Sequence, residues 1–286
     1  MKPEISVVMS AYNVEKYIAD AIRSVLRQTF RDYEFIIVND GSTDRTAKII
    51  GSFRDRRIKV ITNDKHDFIG SLNMGMAAAR GNYIARMDSD DIMHIDRLKI
   101  QYAIMRNNPE IDVCTSWMTL FGERANVGQL SKSVSGIVEN PLVHLLGRNI
   151  FFNPTSMMRT EFVRKNDMRY QRYDFAEDYK WWMEMARLGA TFYIEPQALL
   201  NYRLSENQVS TKYNREQRES ATKIRSEILD ILLKQNETNH PELKEAQKGL
   251  MALRDNALIG NDAYFAFFQQ LFNTNRHILT ADNTAA

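Results

Sequence analysis

The chain has 286 residues, of which 44% are hydrophobic and 26% charged, with a formal net charge of +2. A chain of this length buries a substantial core without staples. The near-neutral charge excludes a global basic field for nucleic acid or for an anionic membrane. The single cysteine, Cys114, cannot form an intrachain disulfide, which fits a reducing compartment.

No stretch reaches the roughly 20 apolar residues a spanning helix requires. Ser10, Asn13, Glu15 and Lys16 interrupt the apolar start before a secretory core accumulates. The expectation is a cytoplasmic chain, at most peripheral at the inner face of a membrane.

Two periodicities alternate over the first ninety residues. The apolar run Ile5–Met9 reads as a strand buried on both faces. Asn13 is placed to cap a helix in which Tyr17, Ile18, Ala21, Ile22, Val25 and Leu26 recur at helical spacing. Glu34–Val38 reads as a second strand, followed by a turn at Asn39–Ser42 and a helix from Thr46 to Phe53. Ile58–Ile61 is a third strand, Ile69–Arg80 a helix stopped by Gly81, and Tyr83–Met87 a fourth strand. Such an order predicts a mostly parallel, Rossmann-like sheet with helices on both faces. Ligands of such sheets gather beyond the carboxyl ends of the strands. Asn13, Asp40, Asn63, Asp64 and the run Asp88–Asp91 all fall there.

Further on, Asp96–Asn107 reads as a helix and Asp112–Phe121 as a strand. Residues 122–150 show no period and read as a mobile surface segment. Phe175–Leu188 is a helix ended by Gly189, and Phe192–Ile194 and Ala198–Arg203 are short strands. Beyond Val209 the texture turns helical, with stripes at Ile224, Ile228, Leu229, Leu232 and Leu233 and at Tyr264–Phe272. The second stripe, with Tyr264, Phe265, Phe267 and Phe268, suits core packing first, and self-association or membrane contact after it. The last ten residues read as frayed.

Three acidic features carry the chemistry. Asp88, Asp90 and Asp91 concentrate mutually repelling carboxylates at a strand end, a penalty that an oxygen-preferring cation such as Mn²⁺ or Mg²⁺ removes. Helix capping or simple solvation is the plainer alternative. Asp40 suits a pyrimidine imide N–H or a ribose hydroxyl, against an alternative role, shared with Ser42, as a helix cap. Glu177 and Asp178 open a helix, where the dipole favours acids in any case, but a carboxylate among Trp and Tyr also suits proton abstraction from a sugar hydroxyl. No G-x-G-x-x-G, Walker loop or G-x-S-x-G elbow is present, and His66, His94 and His144 are scattered as ordinary polar residues.

In sequence, Ser6–Asn13, Ile36–Asp44, Asn73-Met74-Gly75, Ala79-Arg80-Gly81, Met87–Asp91, Asn153-Pro154-Thr155, Glu177-Asp178 and Tyr202-Arg203 resemble the family 2 glycosyltransferases with the GT-A fold. The resemblance spans roughly residues 4–210. It implies an inverting transferase using a nucleotide-diphosphate sugar, commonly a UDP-sugar, with Mn²⁺ or Mg²⁺, and a glycan or lipid-linked saccharide as hydroxyl acceptor. By that resemblance Ala11, Tyr12 and Asn13 line the nucleotide pocket and Asp40 reads the base. Asp88 lies at the nucleotide edge, Asp90 near ribose or metal, and Asp91 binds the metal. Asp178 is the general base and Glu177 orients the acceptor. The implied organisation is a catalytic domain over 1–210, divided at 91/92 into nucleotide and acceptor halves, and a helical extension over 211–286. Two positions depart from the family pattern: Ser10 stands where Pro is usual, and Ser205 where a His often follows the Tyr-Arg pair. A non-catalytic nucleotide-sugar binding protein and a sugar nucleotidyltransferase are the alternatives.

Overall fold

The computed structural model describes residues 2–123, 128–205 and 213–279. The described residues fall into two compact units. One is drawn from Met1–Val138, Phe151–Arg172 and Leu188–Lys212, the other from Glu139–Ile150, Tyr173–Arg187 and Tyr213–Ala286. The expected boundary at 210/211 lies outside the described residues. The helical unit includes two segments, 139–150 and 173–187, from within the span that the sequence assigned to the catalytic domain.

The first unit is built on a mixed sheet. Strands β1 (Ile5–Ala11), β2 (Tyr33–Asn39), β3 (Ile58–Thr62) and β4 (Tyr83–Asp88) lie in the order β3-β2-β1-β4, all parallel. β5 (Ile92–Met93), β6 (Val113–Phe121), β7 (Gln129–Ser131), β8 (Gly136–Ile137), β9 (Met157–Arg159) and β10 (Phe192–Arg203) extend it, with β9 inserted antiparallel between β4 and β6. Period-two alternation sorts the strand side chains. Ile5, Val7, Met9, Phe35, Ile37, Ala85 and Met87 share one core cluster with Ile18, Ala21, Ile22 and Val25 of α1 (Ile18–Leu26), Ile50 of α2 (Thr46–Ser52) and Leu98 and Met105 of α4 (Arg97–Asn107). On the opposite face α3 (Phe68–Ala78) comes so close that a methyl on Gly75 would lie 2.5 Å from Val8 and 3.3 Å from Val38.

Several expectations are corrected here. α3 ends at Ala78, and Gly81 does not terminate it by a left-handed cap. Gly81 instead sits where a Cβ would meet the Ser6 nitrogen at 2.6 Å, so it serves backbone approach to β1. The two strands expected around Pro196 are one, β10, whose pairing with β6 shifts register between Glu195 and Ala198. The segment 122–150 is not irregular throughout. It holds β7, β8 and α5 (Pro141–Gly147), whose Leu142, Val143, Leu145 and Leu146 are buried. A seven-residue helix is too short for its period to show against a mixed background.

The second unit is helical. It comprises α5, α7 (Glu177–Arg187), α8 (Asn214–Gln235), α9 (Glu242–Asp255), α10 (Asn261–Thr274) and the short α11 (Arg276–Leu279); α6 (Thr160–Lys165) belongs to the first unit. The stripe Ile224, Ile228, Leu229, Leu232 and Leu233 is buried, as are Tyr264, Phe265, Phe268 and Phe272. Phe267 alone of the aromatic stripe is exposed. No helix among the described residues is long and apolar enough to cross a membrane.

Candidate active site

Strand register builds the first half of the site. Ala11 pairs with Asn39, Asn39 with Thr62, and Ser10 with Asp88, so the parallel strands end level with one another. Tyr12, Asp40, Asn63 and Ser89 follow within a residue of those ends, which is the rim the sequence predicts.

The loops after β1 and β2 are stitched together there. Asn13 adopts a left-handed conformation at φ 48°, which Asn tolerates better than most residues. Its side-chain oxygen accepts the N–H of Thr43 at 2.8 Å and of Asp44 at 3.4 Å, and its own N–H donates to Ser42 Oγ at 3.2 Å. The expected capping of α1 by Asn13 is therefore corrected, since α1 opens at Ile18 with no side-chain cap. The second loop outcompetes the helix for that carbonyl oxygen.

Asp40 is 1% exposed. Its Oδ1 accepts three hydrogen bonds, from Asn63 Nδ2 at 2.9 Å, the Asp67 N–H at 2.9 Å and Ser71 Oγ at 2.8 Å. The N–H of Asp40 donates to the Ala11 carbonyl at 2.9 Å. Asp40 does not cap α2; Asp44 serves that helix start by accepting the Thr46 N–H at 2.8 Å. Beside Asp40, the ring of Tyr12 stacks on that of His66 at 3.9 Å, and His66 Nδ1 lies 3.7 Å from Asp40 Oδ2. Sequence reasoning set His66 aside, because nothing in its spacing ties a loop after β3 to a tyrosine after β1.

The acidic run divides by partner. Asp88 pairs with the buried Arg86 at 3.2 Å. The Asp90 carbonyl accepts Arg203 Nε at 2.7 Å, and Asp91 Oδ1 accepts the Arg203 N–H at 2.8 Å. Asp91 is fully buried, and its Oδ2 meets no hydrogen-bond partner among the described residues. Burial first, then the charge of Asp88, pushes the Asp90 carboxyl up to about 6. Burial, with the charges of Asp90 and Asp88 behind it, drives Asp91 well above the ordinary carboxylate range. The Arg203 guanidinium counters part of that charge while lying 4.4 Å from the ring centres of both Tyr17 and Phe121. Arg203 entered the sequence reading only as half of a Tyr-Arg pair; its grip on the acids is a feature of the fold.

These residues fit a divalent cation. An orphaned buried carboxylate oxygen, beside acids that raise one another's pKa, is the penalty a hard cation relieves. Among the described residues no group of three or more His, Cys, Asp or Glu is placed to hold a metal.

Behind the run lies a second layer that sequence reasoning missed. Buried Arg97 donates to the carbonyls of Pro154 at 2.7 Å, Arg86 at 2.9 Å and Ser156 at 3.0 Å, and burial lowers its pKa to about 9. Gln101 Nε2 donates to the Cys114 and Thr155 carbonyls. The pair fastens the Asn153-Pro154-Thr155 turn to the strand that carries Asp88.

Glu177 and Asp178 belong to the helical unit, in the first turn of α7. Asp178 Oδ1 accepts the Tyr179 N–H at 2.7 Å, and Oδ2 accepts Asn149 Nδ2 at 3.2 Å. The turn before it is held by Phe175, whose ring stacks on Tyr213 at 4.1 Å and whose carbonyl accepts Gln217 Nε2 at 2.9 Å.

The Glycosyl transferase family 2 model matches residues 6–175. The chain belongs to glycosyltransferase family 2. It is an enzyme of glycosyl transfer, for which inversion is the typical outcome in this family. An uncharacterized glycosyltransferase of Haemophilus influenzae is 37% identical over 243 residues, covering 81% of this chain and 75% of that protein. The UDP-Glc:alpha-D-GlcNAc-diphosphoundecaprenol beta-1,3-glucosyltransferase WfgD of Escherichia coli is 37% identical over 105 residues, covering 36% of this chain and 42% of its own. Among solved structures, S. aureus TarS 1–349 in complex with UDP-GlcNAc superposes with a TM-score of 0.64 at 21% identity, covering 88% of this chain and 80% of that one. That likeness bears out the expected GT-A fold.

Proposed function

We propose that this family 2 glycosyltransferase transfers a sugar from a UDP-sugar to a hydroxyl of a glycan or lipid-linked saccharide, with inversion, in polysaccharide or glycan biosynthesis. The observation that carries the reading is the strand register, which sets the loop of Tyr12 and Asn13, Asp40 and the Asp88–Asp91 run on one rim. Tyr12 offers a ring face to the base, Ala11 and Asn13 fix the loop beneath it, and the second Asp40 oxygen, beside His66, accepts the base's N–H. Asp88 and Asp90 bound the ribose and diphosphate side. Asp91, with Asp90, would hold Mn²⁺ or Mg²⁺, which when bound supplies charge against the departing diphosphate. Asp178 takes the proton from the acceptor hydroxyl as that oxygen attacks the anomeric carbon, and Glu177 orients the acceptor.

The names of two similar proteins support the donor and acceptor classes: TarS was solved with UDP-GlcNAc, and WfgD is named for transfer from UDP-Glc to a diphosphoundecaprenol-linked sugar. Such an acceptor also suits a peripheral position at a membrane. The test is calorimetry with UDP and Mn²⁺, then thermal stabilisation by a panel of nucleotide sugars, on wild type and Asp178→Asn. The reading expects Mn²⁺-dependent UDP binding in both proteins and sugar transfer only in the first. UDP affinity that a chelator leaves unchanged removes the metal from the reading, and full transfer by Asp178→Asn removes the base.

A further inference from the structure

Within the helical unit, the carbonyl end of α5 is claimed by side chains from three other helices. Tyr179 of α7 donates its hydroxyl to the Leu145 carbonyl. Arg225 of α8 donates Nε to the Leu146 carbonyl at 2.9 Å, and Gln269 of α10 donates to the Val143 carbonyl at 3.1 Å and the His144 carbonyl at 3.4 Å. The last carbonyls of a helix have no partner inside it, and a buried one left unmatched is costly. Here side chains from neighbouring helices reach four in a row, of which the His144 carbonyl also accepts the Arg148 N–H at 3.2 Å. Gln269 packs so tightly that a methyl on Gly147 would lie 2.2 Å from its amide nitrogen.

Two residues beyond Gly147 the chain reaches Asn149, whose amide donates to Asp178 Oδ2. The other carboxylate oxygen is already committed to the Tyr179 N–H. Asn149 thus bears directly on the rotation of the carboxylate about its last bond. Arg225 is itself braced, by an ion pair to Asp262 at 2.7 Å and by the ring of Phe265 at 4.3 Å, both from α10. Lys180 of α7 is bound to Glu227 of α8 at 2.5 Å, which ties the helix of Asp178 to the same brace.

We propose that Asn149 is a positioning residue that aims the Asp178 carboxylate, and that the C-terminal helices hold Asn149 in place by capturing the end of α5. This rests on the reading of Asp178 as the general base. It gives residues beyond 213 a role in catalysis: a base aimed by an amide takes its proton well only if the amide's own backbone is fixed.

The test uses the full chain and follows UDP release from UDP-glucose and from UDP-N-acetylglucosamine with Mn²⁺, water serving as acceptor. Asn149→Ala is expected to lower kcat about tenfold, the worth of one hydrogen bond to a charged group, with KM for the donor and the calorimetric affinity for UDP unchanged. In an Asp178→Asn background the same substitution is expected to add nothing. Arg225→Leu is expected to share the kcat loss and Arg225→Lys to restore most of it. Wild-type kcat in Asn149→Ala, or losses that multiply in the double variant, would overturn the proposal. Asn149 is half-buried in a loop, so its alanine variant is expected to fold and to decide the matter even where Arg225→Leu does not fold. Full activity in Asp178→Asn alone would instead remove the base reading, which keeps the two failures apart.

Discussion

The N–H of Arg203 donates to Asp91 Oδ1 at 2.8 Å, while Oδ2 of the same buried carboxylate meets no partner among the described residues. One oxygen is pinned by backbone and the other finds no match among the described residues. That asymmetry costs stability in the free protein, because a buried acid with an unmatched oxygen is held against its preference for water. Asp91→Asn is expected to raise the melting temperature of the ligand-free protein by a few degrees, corresponding to about 1 kcal/mol. The same variant is expected to lose Mn²⁺-dependent UDP binding. A melting temperature that falls, with metal-dependent binding intact, would show Asp91 to be purely structural.

The raised acids also set a pH dependence. Asp90 ionises near 6 in the folded protein against an ordinary value of 3.8. Over that interval the folded state holds more protons than the unfolded one, so this site's contribution to stability falls as pH rises from about 4 to about 6. A cation competes with those protons, so its apparent affinity is expected to climb over the same window. Isothermal titration of Mn²⁺ with UDP at pH 5, 6 and 7 reads the slope. Affinity that does not change across the three would detach the acids from metal binding.

Asp40 separates binding from folding. Asn retains an oxygen for the donors on Asn63, Asp67 and Ser71, but replaces Oδ2 with an amide that donates. Asp40→Asn is therefore expected to weaken UDP binding tenfold or more, with a melting temperature within a few degrees of wild type. Asp40→Ala strips the acceptor from all three donors and is expected to destabilise by about 2 kcal/mol as well. Equal UDP affinity in wild type and Asp40→Asn would take Asp40 out of base recognition.

The parallel half of the sheet was legible because its strands are buried on both faces and bounded by turns, so apolar runs and polar ends mark each one. Asp40 and the Asp88–Asp91 run were legible for the same reason: they stand where strands stop. What escaped the sequence has a physical cause in each case. β5 and β9 are two and three residues long, below any period. α5 carries four buried residues in seven and reads like a strand or a loop. Arg97, Arg203, Asn149 and His66 act through backbone carbonyls, ring faces and carboxylates far away in sequence, and no local pattern records such partners. Gly81 was recognised as a constraint but given the wrong one, since a helix stop and a close backbone approach both select glycine.

Glu34 supplies a prediction about the fold beneath the site. It is nearly buried in β2, where Oε1 accepts Ser6 Oγ at 2.7 Å and the Arg80 N–H at 2.8 Å, and Oε2 accepts Lys59 Nζ at 2.7 Å and Arg80 Nη2 at 3.0 Å. One carboxylate thereby joins β1, β2, β3 and the turn that leads into β4. Burial opposes its charge, but the bonds from Lys59, Ser6 and Arg80 outweigh burial and hold the carboxyl down at about 2. The folded state binds fewer protons than the unfolded one between about 2 and the ordinary 4.5, so this stabilisation is whole above that range and drains away as pH falls through it. Lys59 and Arg80 are partly exposed and keep some hydration without Glu34, so the cost of Glu34→Ala is set by the lost hydrogen bonds to the charged group, about 2 kcal/mol. Urea unfolding at pH 7 is expected to show that loss, and the gap between the two proteins is expected to narrow toward pH 3. A gap that stays constant over that range would mean that the carboxylate contributes packing alone and that strands β1 to β4 are aligned by backbone pairing without it.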